Sequence, residues 1–201
     1  MKLADCGEVR SGSLHDRSGT GGYFVLVSDL TPRGLNIGSL AVGCLPQKSG
    51  AAAALAAGDV VVGLRGASNL AAVVPPLDLA SGLIFATLDV GIVRKSDRVL
   101  PEYLAWFLNR PKTQAIFSSE RTGSGAPRLP LSALQELVVP VPSMERQAAI
   151  AALAADAQHE SDLIENIQQA RQRLLDELLR EAAGQSSLDQ SWCDWAGTVQ
   201  P

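Results

Sequence analysis

The chain has 201 residues and a mass of 21.1 kDa, enough for one ordinary domain plus an appendage. With 46% hydrophobic residues it can build a core, which excludes wholesale disorder; at 4% aromatics, that core leans on Val, Leu, Ile and Ala. The net charge of −4 hides a split: 13 lysines and arginines face 10 acids through residue 130, and 4 face 11 thereafter. A mildly basic front permits phosphate contact, and an acidic back points to a different partner.

Cys6, Cys44 and Cys193 form no CxxC and are odd in number, which argues against a disulfide framework and against a zinc site. Free thiols fit a reducing cytoplasm. Asp5 and Glu8 interrupt any apolar stretch at the start, so no signal peptide is expected there. The longest apolar run, Ala51 to Ala57, is too short to span a bilayer.

From Met1 to about Pro140 the punctuation is that of a β-rich domain. Tyr23–Val27, Asp59–Leu64, Leu83–Leu88 and Leu137–Val139 are short apolar runs bounded by Gly, Pro, Asp or Ser, and they read as buried strands. Ala51–Ala57 is ambiguous between strand and a turn or two of helix. One helical insertion interrupts the pattern. Pro101 and Glu102 suit a first turn, Leu104, Phe107 and Leu108 recur at helical spacing, and Pro111 ends the run. Lys112 to Ser118 reads as a second short helix.

After Val139-Pro140-Val141-Pro142 the period changes, with Ser143 as N-cap and Glu145 in the first turn. Positions 150, 153, 157, 160, 164, 167, 171, 174 and 178 step by threes and fours, and seven of these nine are apolar. Ile150, Leu153, Ala157, Ile164, Ile167, Leu174 and Leu178 thus form a heptad seam with polar breaks at Glu160 and Arg171. No Gly or Pro interrupts the stretch between Ser143 and Gly184, which predicts one helix of roughly 60 Å. Such a stripe must be buried against a second copy, a partner or the chain's own domain. Glu160 and Arg171 could pair across an antiparallel dimer. The division expected is therefore a domain over 1–142, a dimerisation or spacer helix over 143–183 and a tail over 184–201. That tail, with Trp192 and Trp195, is expected to be disordered unless the tryptophans dock in a groove.

The residues an enzyme would need are sparse. The chain has two histidines, His15 in a polar loop and His159 within the long helix, and neither sits in a triad or metal-ligand pattern. There is no GxxxxGK[ST], and neither Gly19–Gly22 nor Gly123–Gly125 stands between a strand and a helix. Val73-Val74-Pro75-Pro76 lacks the flanking residues of an amino-methyltransferase motif. A non-catalytic role without a bound metal or cofactor is expected.

Three segments, in order, resemble the target-recognition domain of type I restriction–modification specificity (S) subunits. The first is the opening, Lys2-Leu3-Ala4-Asp5 through Ser11-Gly12-Ser13. The second is Gly58-Asp59-Val60-Val61-Val62-Gly63. The third runs from Tyr103-Leu104-Ala105-Trp106-Phe107-Leu108 through Thr122–Leu129 and Leu131–Leu134 to Val139-Pro140-Val141-Pro142, with Gln147 and Ile150 beyond. The resemblance implies an α+β fold: a β-rich recognition domain with short helices, then one long helix that forms a coiled coil. The usual S subunit carries two such domains and two long helices, so this chain resembles a half-subunit that would rebuild the pair as a homodimer.

The resemblance also implies double-stranded DNA as ligand and a methyltransferase (M) subunit as partner, with S-adenosylmethionine on that partner. A restriction (R) subunit using ATP and Mg would be a further partner. Because Arg matches the guanine edge and turn-rich segments approach DNA most closely, the candidate DNA contacts are Arg17, Arg33, Lys48, Arg65, Arg121, Ser124 and Arg128. Arg94, Lys95 and Arg98 form a weaker cluster. The alternative is an interaction scaffold that binds methyltransferase or S subunits through its helix without reading DNA.

Overall fold

The computed structural model describes residues 1–14, 22–44, 54–76 and 83–183. His15, Arg17, Lys48, Ala51–Ala53 and the tail with Trp192 and Trp195 lie outside the described residues, and 54–57 form neither helix nor strand. The chain divides into two units, Met1–Ala154 and the part from Ala155 onward.

The first unit is built on a four-stranded antiparallel sheet. Its strands β1 (Val9–Ser11), β6 (Val60–Gly63), β7 (Ala71–Val73) and β9 (Val90–Val93) lie in the order β1-β9-β6-β7. Three further strands, β2 (Gly22–Val25), β5 (Ala41–Gly43) and β8 (Leu83–Ala86), form a second sheet in which β2 is antiparallel to β5 and parallel to β8. Strands β3 (Leu30–Thr31) and β4 (Gly34–Leu35) make a small hairpin.

The central strands alternate between two cores, as the period of two requires. Val60, Val62 and Val93 face a core shared with Leu3, Leu104, Leu108, Phe117, Leu129 and Leu134. Val61 and Ile92 face the other, with Val25, Ile84 and Ala86 of the second sheet. Burial on both faces explains why Val60-Val61-Val62 reads as an unbroken apolar run.

Helices cover the first face: α1 (Leu3–Cys6), α2 (Pro101–Asn109), α3 (Pro111–Glu120) and α4 (Leu131–Glu136). Proline stands at the first turn of both α2 and α3, where its missing N–H costs nothing, and Pro111 separates the two. The fold is thus α+β, with the aromatic insertion helical as its spacing predicts. Leu137–Val139, read as a strand, forms only an isolated bridge of Val138 to Lys2. Pro140 cannot donate to a ladder, and apart from Leu137 N–H on Leu134 O this stretch bonds the chain start, Leu3 N–H to Leu137 O and Val139 N–H to Met1 O.

Helix α5 runs from Met144 to Ala182, 39 residues or about 58 Å at 1.5 Å each. Its first turn is capped by Ser143, whose Oγ lies 3.4 Å from Arg146 N and whose carbonyl accepts from Gln147 N. The opening turns belong to the first unit because of Gln147, which is fully buried. Its Nε2 donates to the Arg98 and Pro142 carbonyls at 3.1 and 3.0 Å, and its Oε1 accepts from Leu100 N at 2.8 Å. Tyr103 adds a bond to Pro140 O at 2.7 Å, and burial pushes its phenol pKa up.

Replacing Gln147 by Leu keeps the volume and strands three backbone groups. Chemical denaturation should show a loss of about 1–3 kcal/mol. A change within the scatter of surface substitutions would mean that water takes over these bonds.

Candidate nucleic-acid interface

Strand β7 ends its sheet, and an edge strand has backbone groups with no neighbour. Here two carboxamides from the helices fill that role. Asn109, at the end of α2, accepts from Ala71 N and donates to Ala71 O, both at 2.8 Å. Gln114, in α3, accepts from Asn69 N at 3.0 Å and donates to Asn69 O at 2.9 Å. Asn69 is itself fully buried, with its Nδ2 on Gly63 O at 2.6 Å. The loop from β6 to β7 is therefore pinned at its far end, and Arg65–Ser68 stands exposed.

Arg121 belongs to this framework. Its guanidinium donates twice to Asn69 Oδ1, at 2.9 and 2.7 Å, and once to Ala67 O at 3.0 Å. Immediately after it, Thr122 and Arg128 exchange backbone hydrogen bonds of 2.9 Å in both directions. They close a hairpin whose tip, Gly123 to Pro127, is exposed and includes Ser124. Gly123 has φ +106° and Gly66, in the facing loop, φ +110°, a region that other residues rarely adopt.

Three chain segments then meet. Leu64 N donates to Asp89 O at 2.8 Å, and Leu129 N donates to Leu64 O at 2.7 Å. Arg65 bridges Arg128, and Asp89 sits in the turn between β8 and β9. The Asp89 carboxylate lies between the two guanidiniums, 3.6 Å from Arg65 and 3.8 Å from Arg128. Arg128 also donates to Leu88 O. All three charged side chains are partly exposed, so the result is a solvent-facing group of net charge +1 beside two glycine-containing loops.

The candidates thus separate. Arg65 and Arg128 meet around Asp89, Ser124 stands at the tip of the hairpin that Arg128 closes, and Arg121, half-buried like Arg128, is a support held on Asn69 and Ala67. Arg33 stands elsewhere, in the β3–β4 hairpin, where its N–H bonds Thr31 Oγ1 at 3.2 Å. In the weaker cluster, Arg94 forms an ion pair with buried Asp59 and donates to Ala54 O. Asp89 and Asn69 escaped the sequence reading because their partners are distant in the chain. Among the described residues no group of His, Cys, Asp and Glu could hold a metal, and no helix is long and apolar enough to cross a membrane.

On α5 the seam residues Leu153, Ile164, Ile167, Leu174 and Leu178 are 49–69% exposed, and Ala157 is exposed too. Ile150 instead packs half-buried on the first core. Leu163, Leu175 and Leu179, outside the seam, are likewise exposed and widen the stripe.

This α+β fold with its long helix is similar to solved type I restriction-modification S subunits. The fold matches the HsdS subunit from Thermoanaerobacter tengcongensis with a TM-score of 0.60 at 18% identity, covering 90% of this chain and 47% of that one. It matches a chain from a study of assembly and conformational transition in the type I R-M system with a TM-score of 0.60 at 17% identity, covering 89% and 42%. The type I restriction-modification S subunit from M. genitalium gives 0.54 at 15% identity, covering 95% and 47%. The chain thus spans less than half the length of each of these structures. No family model matches the sequence, and no curated protein does.

The two arginines should respond differently to truncation. Arg121→Ala strands buried Asn69 Oδ1 and should lower unfolding stability by about 1–3 kcal/mol. Arg128→Ala, whose ion pair is exposed, should change it by no more than about 1 kcal/mol. Equal losses in denaturant titrations would contradict the division into support and surface.

Proposed function

We propose that this chain is a non-catalytic, sequence-specific DNA-recognition module that directs a partner adenine methyltransferase to a bipartite site. The observation that carries the reading is the exposed Arg65–Arg128 pair, set among glycine-containing loops on the fold shared with type I S subunits. Arginine forks fit guanine O6 and N7 in the major groove, and backbone free of side chains lets a phosphate approach closely. Ser124 is suited to a phosphate oxygen. Arg33, Arg17 and Lys48 remain further candidates for backbone contact.

The exposed stripe of α5 is the second element. From Leu153 onward these seam side chains stand exposed, so Leu153, Ala157, Ile164, Ile167, Leu174 and Leu178 serve as an interface to a second copy. Ile150 would contribute only at the margin, since it already packs on the first core. A homodimer with two-fold symmetry presents two identical reading heads and therefore selects two inverted half-sites. S-adenosylmethionine is carried by the methyltransferase partner, and ATP and Mg by a restriction subunit where one joins. Such work takes place in the cytoplasm, where the DNA and free thiols are.

Two measurements test these parts separately. Arg128→Ala should weaken binding to the preferred duplex by about tenfold and relax preference at one base pair. Unchanged preference would remove Arg128 from the reading set. Ile164→Asp combined with Ile167→Asp should halve the mass seen by sedimentation. An unchanged mass would show that the seam is not the interface, and an intact chain without salt-dependent, sequence-selective DNA affinity would favour the scaffold reading.

A further inference from the structure

The carboxylate of Asp89 stands between two arginines that would otherwise repel each other. Its oxygens lie 3.6 and 3.8 Å from their guanidiniums, beyond hydrogen-bond length and within the range of ionic attraction. The turn that carries it is held firmly. Thr87 donates through N–H and Oγ1 to Val25 O at 3.1 and 3.0 Å, Val90 N closes the turn on Thr87 O at 2.9 Å, and Asp89 O accepts from Leu64 N. The backbone that carries the carboxylate is thus fixed by the sheets, and the carboxylate projects from it between arginine forks that are only partly engaged.

An acid at the centre of a surface meant merely to grip phosphates would be counterproductive, because it repels them. Its presence is useful where the forks must avoid phosphates and stay aimed at base edges. We infer that Asp89 is a specificity-determining positioning residue: it holds the Arg65 and Arg128 forks for guanine edges and keeps phosphates out of the space between them. This inference rests on the DNA-reading role proposed above and extends it to an acidic residue.

The test uses the full chain and a library of randomised DNA duplexes, from which bound sequences are selected and counted at several salt concentrations. Asp89→Asn should bind unselected duplexes more tightly and make the dependence of log K on log salt steeper by about one. Preference for guanine at the affected positions should fall about tenfold. Asp89→Glu, which retains the charge, should keep most of the preference. Uniformly tighter binding with the preference intact would overturn the inference, since Asp89 would then be only a surface charge. Parallel loss of binding to every sequence and of thermal stability would also overturn it, by making Asp89 structural. If the unaltered chain itself enriches no sequence, both the reading role and this extension fail; if it does and Asp89→Asn enriches the same sequences equally, only the extension fails.

Discussion

The edge of the four-stranded sheet decides where the surface chemistry falls. Strand β7 has no further strand beside it, and its outward N–H and C=O groups must be satisfied. Asn109 and Gln114 do this with their carboxamides, imitating the paired bonds of a neighbouring strand at Ala71 and Asn69. Both side chains come from the helices on either side of Pro111, and the break that it imposes sets one carboxamide at Ala71 and the other at Asn69 along the sheet edge. Arg121 then closes on Asn69, and the hairpin that follows brings Arg128 against Arg65. Each step ends on a backbone or amide acceptor or donor, with Arg121 the one charged group among them.

The cations consequently do different work despite similar sequence surroundings. Arg121 and Arg94 are engaged with protein acceptors in the framework, Asn69 and Asp59 respectively. Arg65 and Arg128 face solvent around one shared carboxylate. Lys95, Arg98, Arg110 and Lys112 are exposed as well, so what sets Arg65 and Arg128 apart is the carboxylate they share, not exposure alone. The acidic helix α5 contributes separately, through an exposed apolar stripe.

Much of this was legible in the residues, and the reasons it stopped are physical. Val60–Gly63, buried on both faces, and the Pro101 helix carry strong local signals, as does the uninterrupted run of α5. Short elements such as β1, β7 and α1 carry little local pattern because they are specified by long-range partners. Gln147 appeared in the sequence as one letter of a motif; its role, clamping Leu100, Arg98 and Pro142, needs three chain segments at once. The candidate surface was read as a set of arginines in turn-rich segments. Nothing in the local sequence distinguishes Arg121, which holds a buried amide, from Arg128, which faces solvent, and nothing near Asp89 announces its two partners.

The central claim is that this chain selects the DNA sites at which adenine is methylated. Mapping methylated adenines across the genome of the native host, with the gene intact and deleted, tests it most directly. The account predicts that one motif loses its methylation on deletion, and that this motif is an inverted pair of half-sites. An unchanged map, in cells where the partner methyltransferase is expressed, would contradict it.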